Sequence, residues 1–287
     1  MKKNNLIIGI DAGGTKVRGV LMAGKKILKR AEKLHGVPNP TKKIFLESLF
    51  FVLNALFSPK LKRVGIGLPG VITKNRVVGA GNVKILSRLD IKKLIEKKYK
   101  IKVLLDNDVK TALRAEATLL PKYSSIFMLT LGTGIGAAWW QNKQIMKGSF
   151  GTAYELGQMI IDKKQKHFLE LEDFCARKFF KTKGLAPLVS EQRAYLGSQT
   201  HKRLWKELGE SLGIALANIT NLIEPEIIII GGGLNHAWPL FIPYTKKTFK
   251  KLVLSPIAAR KTKIIKAKFD KWSGAIGAAL LAKKPRP

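Results

Sequence analysis

Met128-Leu-Thr-Leu-Gly-Thr-Gly-Ile-Gly136 is an apolar run that breaks into a tight Gly/Thr turn and resumes with small and β-branched residues. It reads as a strand, a turn and a return strand. The chain opens on the same design, because Leu6-Ile-Ile-Gly-Ile-Asp11-Ala-Gly13-Gly14-Thr15 is again an apolar strand leading into a Gly/Thr loop. Glycine lets the backbone take positive φ and approach an anion, while a threonine hydroxyl and successive N–H groups supply donors. One such loop is more often only a turn. Two of them, set far apart, predict a duplicated lobe whose halves clamp a polyphosphate, and hence a two-lobed phosphotransferase.

Composition sets the limits. With 287 residues, 46% of them hydrophobic, and a mean hydropathy of +0.01, the chain can bury a real core and is near the size at which domains split. No apolar run reaches the roughly 18–20 residues of a membrane span. Met1-Lys-Lys-Asn-Asn leads straight into a strand and does not read as a secretory signal. The single cysteine, Cys175, excludes an internal disulfide framework and any multi-Cys zinc site. A reduced, cytoplasmic setting is expected. The net charge of +34 would attract polyanions of any kind. Its lysines are scattered through almost every segment, without the interleaved aromatics that stack bases. Specific nucleic-acid binding is therefore not expected, while polyanion attraction stays open.

Apolar periodicity predicts strands at 6–10, 17–22, 64–68, 103–105, 125–131, 137–141 and 227–230. It predicts helices at 41–57, 91–98, 109–119, 170–180, 190–195, 202–223, 239–251 and 275–283. Alternation with antiparallel opening hairpins gives an α/β fold with mixed sheets flanked by helices. The lobe boundary is expected at the helix after Asp108. Residues 1–108 with 274–287 would form an N-terminal lobe, and 109–273 a C-terminal lobe. The last helix begins Ser273-Gly-Ala-Ile-Gly-Ala-Ala, small enough to pack closely and cross back to the first lobe.

Several polar clusters stand where strands end. Asp106-Asn107-Asp108 precedes a helix, so these residues either cap it or do chemistry, with Asn107 on a substrate hydroxyl and Asp108 accepting its proton. In Gly151-Thr-Ala-Tyr-Glu155-Leu-Gly157-Gln158, Glu155 and Gln158 share a face and can grip vicinal hydroxyls, or simply line a polar loop. Leu171-Glu172-Asp173 lies in a predicted helix and reads equally as an exposed acidic turn. After Ile227-Ile-Ile-Ile230 comes Gly231-Gly-Gly233-Leu234, three glycines where a plain strand-to-helix turn needs one, and a place for a nucleotide to lie against backbone.

Taken in order, these motifs resemble those of the ROK family (repressors, open reading frames and sugar kinases), within the actin-like, hexokinase-type ATPase superfamily. The resemblance runs from Gly9 to Leu281. It implies a ribonuclease H-like, two-lobed fold with the active site in the interlobe cleft, and ATP and Mg²⁺ as co-substrate and cofactor. Asp11 resembles the aspartate that holds Mg²⁺ through water, and Gly13, Gly14, Thr15 and Lys16 the first phosphate loop. Gly132, Thr133 and Gly134 resemble the second phosphate loop, and Gly232, Gly233 and Leu234 the adenosine-side loop. Gly70, in Gly65-Ile-Gly-Leu-Pro-Gly70, and Asn82 match positions beside the sugar, as do Asn107, Glu155 and Glu172. Asp108 matches the catalytic base.

Two departures belong together. The family's E-x-G-H has Gln158 in place of histidine, and its Cys-rich zinc loop is replaced by Asp162-Lys-Lys-Gln-Lys-His167-Phe-Leu-Glu, without cysteine. Glutamine still exchanges hydrogen bonds with hydroxyls but is a poor zinc ligand. No structural zinc is expected, His167 reads as a surface residue, and the short loop should be held by packing around Phe168 and Phe174. The resemblance implies transfer of the ATP γ-phosphoryl group to a hexose hydroxyl, most simply O6 of glucose or a related sugar, with lobe closure excluding water. The rivals are a polyphosphate-dependent glucokinase, which the charge suits, a repressor, for which no N-terminal helix-turn-helix precedes the first loop, and a non-catalytic sugar-binding homologue. Similar proteins form dimers, so a homodimer is open.

Overall fold

The computed structural model describes residues 6–37, 40–79 and 83–283. The chain divides into two units. The first takes the chain up to Pro121, Ile145–Ala153 and the chain from Lys268, and the second takes Lys122–Gln144 and Tyr154–Ala267.

In the first unit β1 (Leu6–Ala12), β2 (Lys16–Ala23) and β3 (Lys26–Leu34) are followed by α1 (Lys42–Leu56), β4 (Arg63–Leu68) and a hairpin of β5 (Val71–Thr73) and β6 (Arg76–Gly79). Then come α2 (Ile91–Tyr99), β7 (Lys102–Asn107) and α3 (Asp108–Ala117). The sheet order is β3-β2-β1-β4-β7. β1 pairs antiparallel with β2, from Leu6↔Ala23 to Ala12↔Val17, and parallel with β4, so the mixed pairing expected from sequence is present. Thr41 caps α1, and Phe45, Leu49, Val52, Leu53 and Leu56 recur at helical spacing, so the helix packs over β2 and β3 and shares a core with the apolar residues of β1, β4 and β7. The sequence pattern does not predict strand β3. Its sequence, KILKRAEKL, is charged and mostly exposed, as suits an edge strand that must not recruit another chain.

The second unit repeats the plan. β8 (Ser125–Leu131), β9 (Ile135–Gln141) and β10 (Gln144–Met146) lead to a hairpin of β11 (Ile160–Lys164) and β12 (His167–Glu170). Helices α4 (Glu172–Cys175), α5 (Arg177–Lys181), α6 (Pro187–Tyr195) and α7 (Gln199–Ile223) follow, then β13 (Ile227–Gly231), α8 (Trp238–Leu252), α9 (Pro256–Lys261) and β14 (Lys263–Lys266). The sheet order is β10-β9-β8-β13-β14. As in the first sheet, an antiparallel hairpin is continued by strands parallel to its first member. β13 is buried throughout, as expected for an apolar strand covered on both faces.

Two expectations here need correction. The helix predicted at 170–180 is broken, with Ala176 extended at φ −113°, ψ −178° between α4 and α5. The break lets the Arg177 N–H donate to the Gly132 carbonyl at 2.9 Å, so a tertiary bond overrides an unbroken apolar period. The 162–170 segment is not packed around Phe168, which is 62% exposed under the Lys163 ammonium, 5.5 Å away. It is held by the β11–β12 ladder, while Phe174 does pack against the core.

The chain then returns to the first unit as α10 (Ser273–Ala282). Its small residues bring backbone against backbone. A Cβ on Gly65 would overlap the Ala278 carbonyl, one on Gly9 the Ala275 carbonyl, and one on Gly277 the Thr111 carbonyl. Just before it, the buried Glu116 carboxylate of α3 accepts from Lys268 N (2.9 Å), Phe269 N (2.8 Å) and Ser273 Oγ (2.8 Å). These contacts keep α3 in the first unit, whereas the sequence boundary at 108/109 assigns it to the second.

Candidate active site

In the first unit the turn between β1 and β2 closes with Gly13 N donating to Lys16 O at 3.0 Å. Asp11, one residue before the end of β1, is half-buried. Gly274, at the start of α10, lets that helix come so close that a Cβ there would lie 2.8 Å from the Asp11 carboxyl. Burial pushes the Asp11 carboxyl up to about 6, against the pull of Arg18 and then Lys16. A desolvated carboxylate beside a glycine loop fits a bound cation.

The sign of this shift makes a prediction. A folded pKa raised from 3.8 to about 6 favours the protonated form, so the contribution of Asp11 to stability is fully present at acid pH and is lost as pH rises through about 6. Asp11→Asn should therefore raise the unfolding free energy from urea titration at pH 8, by up to about 3 kcal/mol, and leave it nearly unchanged at pH 4. No gain at pH 8 would contradict the desolvation account.

β7 delivers the second group of side chains. Its pairing with β4 runs from Arg63↔Lys102 to Leu68↔Asn107, which carries Asp106, Asn107 and Asp108 to the sheet's end. The structure gives the three residues different partners. Asp106 is buried, takes the Asn107 N–H at 3.0 Å and pairs with Arg114 at 3.4 Å, so its role is structural. Asn107 is the N-cap of α3, its Oδ1 accepting from Val109 N (2.9 Å) and Lys110 N (3.1 Å). Its Nδ2 donates to Gly70 O at 3.0 Å, which joins two of the residues expected beside the sugar. Asp108 opens α3, half-buried, with Oδ1 accepting from Val109 N at 2.8 Å. Gly67 makes this seat possible, since a Cβ there would lie 3.4 Å from the Asp108 Cα and 2.6 Å from Thr111 Oγ1. The expectation at Asn82 lies outside the described residues.

In the second unit the β8–β9 turn closes with Gly132 N donating to Gly134 O at 3.0 Å. Glu172 lies against this turn, its Oε1 accepting from Ile135 N at 2.7 Å. A Cβ on either Gly134 or Gly157 would come within 2.5 Å of that oxygen. Glu172, the second loop and the segment from Glu155 to Gln158 therefore meet, and Glu155 and Gln158 are exposed at the two ends of one turn of 3-10 helix. Gly232 stands at φ +91°, and a Cβ there would overlap the Leu131 carbonyl, so the glycine-rich loop after β13 reaches the base of the second turn. Gly233 faces open space. Leu234 is buried among the core side chains, which leaves its backbone as its means of contact with a ligand.

Two further residues carry no signal in the sequence. His35 is buried, with Nε2 3.0 Å from Gly13 O and Nδ1 3.0 Å from Ser48 Oγ. Lys110 is 5% exposed, and its ammonium donates to Gly151 O at 3.1 Å, tying α3 to the turn at Gly148–Gly151. A lone histidine after a charged strand, or a lysine in a helix of a lysine-rich chain, carries no sequence signal of burial. Among the described residues no group of three His, Cys, Asp or Glu side chains gathers to hold a metal ion, and no helix is long and apolar enough to cross a membrane. His167 is exposed. Burial pushes the Cys175 thiol far up, which leaves it a core residue.

A family model described as ROK family matches residues 7–285. A glucokinase of Streptomyces coelicolor is 25% identical, covering 98% of this chain and 99% of its own length. A putative xylose repressor of Caldicellulosiruptor is 26% identical over 84% of this chain and 69% of its own. The crystal structure of a ROK family glucokinase from Streptomyces griseus, in complex with glucose and AMPPNP, superimposes with a TM-score of 0.84 at 21% identity, covering 96% and 99% of the two chains. The fold is therefore that of the actin-like ATPases.

Proposed function

The chain belongs to the ROK family, and from that premise we propose that it is an ATP-dependent hexose kinase that phosphorylates a sugar hydroxyl, O6 of glucose or a close relative. The observation that carries this reading is the pair of sheets of matching order, each ending its first hairpin in a Gly/Thr turn. An aspartate on the first turn of a helix adds to it. The family also contains repressors, represented among this chain's relatives. Asp11, Asp108 and both loops together favour catalysis over sugar sensing alone.

Asp108 orients the acceptor hydroxyl and takes its proton as the oxygen attacks phosphorus. Asn107 fixes the turn that carries Asp108, and its bond to Gly70 holds the neighbouring loop in register. Glu155, Gln158 and Glu172 grip the sugar's other hydroxyls, with Glu172 held in place by the Ile135 N–H. The two glycine turns present N–H donors to the donor phosphates, and Gly232, Gly233 and the Leu234 backbone lie against adenosine. Asp11 would hold Mg²⁺, which would supply positive charge to offset the phosphoryl oxygens. The chemical gain comes from positioning and charge stabilisation, not from a covalent step.

The test is phosphoryl transfer to a pooled hexose panel with Mg²⁺, using ATP and then inorganic polyphosphate as donor. Turnover with ATP is expected, and deconvolution of the pool then names the acceptor. Turnover with polyphosphate alone would replace the donor and keep the base. Silence with both would overturn the kinase reading and favour a sugar-binding role.

A further inference from the structure

His35 touches the first phosphate loop twice. Its backbone N–H donates to Thr15 O at 2.9 Å, and its ring lies 3.0 Å from the Gly13 carbonyl through Nε2. A carbonyl only accepts, so Nε2 carries the proton. In the neutral ring Nδ1 is then an acceptor, and the Ser48 hydroxyl, 3.0 Å away, is its donor. Ser48 is 2% exposed on α1, and the Phe45 ring from the same helix lies 5.6 Å from the imidazole. The relay thus runs from the core helix through a buried ring to the loop.

Its consequence lies in the peptide plane. In a trans peptide the carbonyl and the following N–H point in opposite directions. Drawing the Gly13 carbonyl toward His35 turns the Gly14 N–H the other way. We propose that His35 is a positioning residue for the phosphate donor: the Ser48–His35–Gly13 relay holds the Gly13–Gly14 peptide so that the Gly14 amide is presented to a phosphate oxygen. The proposal rests on the reading of this loop as the donor's binding loop.

The test uses two amides that replace different ring nitrogens. His35→Gln keeps a donor where Nε2 stands, next to Gly13, whereas His35→Asn keeps only the Nδ1-side contact with Ser48. AMPPNP binding is measured by calorimetry, KM for ATP and for the sugar by turnover, and exchange of the Gly14 amide by hydrogen–deuterium exchange. His35→Asn is expected to weaken nucleotide about tenfold, and Ser48→Ala, which loosens the tautomer, about threefold. His35→Gln should stay within about twofold of the parent, and the sugar KM should not move in any variant. Gln and Asn behaving alike, or sugar and nucleotide constants shifting together, would overturn the proposal and return His35 to a packing role. Should His35→Asn fail to fold, Ser48→Ala carries the same comparison. If the parent binds no nucleotide, the donor-loop reading fails separately. Gly14 exchange then still decides whether the relay sets the peptide, since only His35→Gln should preserve it.

Discussion

Asp108→Asn will lower hexose phosphorylation by about 10²–10⁴-fold while leaving the melting temperature and both substrate affinities within a few-fold of the parent. The structure explains why the loss should be so selective. The Val109 N–H that Asp108 Oδ1 accepts is equally well received by an asparagine oxygen, and Asn107 continues to cap the helix. The charge removed from the first turn of α3 costs about 0.3–1 kcal/mol through the helix dipole, a small part of the stability of a chain of this size. On the proposed mechanism, what disappears is the proton acceptor. Asp106→Asn is the informative contrast. Asp106 is buried and paired with Arg114, so its substitution should reduce stability before it touches chemistry. Parallel assays of kcat and urea midpoint decide the matter. If Asp108→Asn keeps a tenth or more of the activity, the base is some other group.

Gly277→Ala is expected to cost at least about 3 kcal/mol, at the upper end of overpacking penalties. A methyl group there would overlap a backbone carbonyl, that of Thr111, and backbone cannot rotate aside as a side chain can. The same geometry holds at Gly65 against Ala278 and at Gly9 against Ala275, so α10 is seated by three backbone-to-backbone approaches. Gly233→Ala is the control, because nothing lies within 4 Å of its added methyl and its φ is ordinary. Urea unfolding should show the first variant shifted to a much lower midpoint and the control unmoved. Equal midpoints would mean that α10 relaxes freely and that the close approach is not structural.

The parts of this protein legible in its sequence are those where chemistry narrows the choice of residue. Asp11-Ala-Gly13-Gly14-Thr15 and Gly132-Thr-Gly134 must turn sharply between paired strands, and both do. The apolar run 227–230 could only be a buried strand, and it is one. Failures fall where tertiary contact outweighs local pattern. β3 has no apolar alternation because it is a sheet edge, and Ala176 breaks a well-patterned helix because Arg177 N reaches Gly132 O. The role of Glu116 is set by partners far along the chain, at Lys268, Phe269 and Ser273, and no local window contains them. Capping against chemistry at 106–108 was undecidable in sequence for a physical reason: the structure gives one aspartate to an ion pair, the asparagine to the cap, and leaves Asp108 at the helix's first residue.

The return of α10 to the first unit also inverts the order of synthesis and the order of folding. The sheet begun by residues 6–12 keeps its Gly9 and Gly65 face uncovered until the ribosome has delivered Ala282, whereas every strand and helix of the second unit has been made by Ala267. The half translated first is therefore finished last. A nascent chain stalled after β14 holds a complete second unit beside an apolar sheet still lacking its cover, the kind of surface that chaperones recognise.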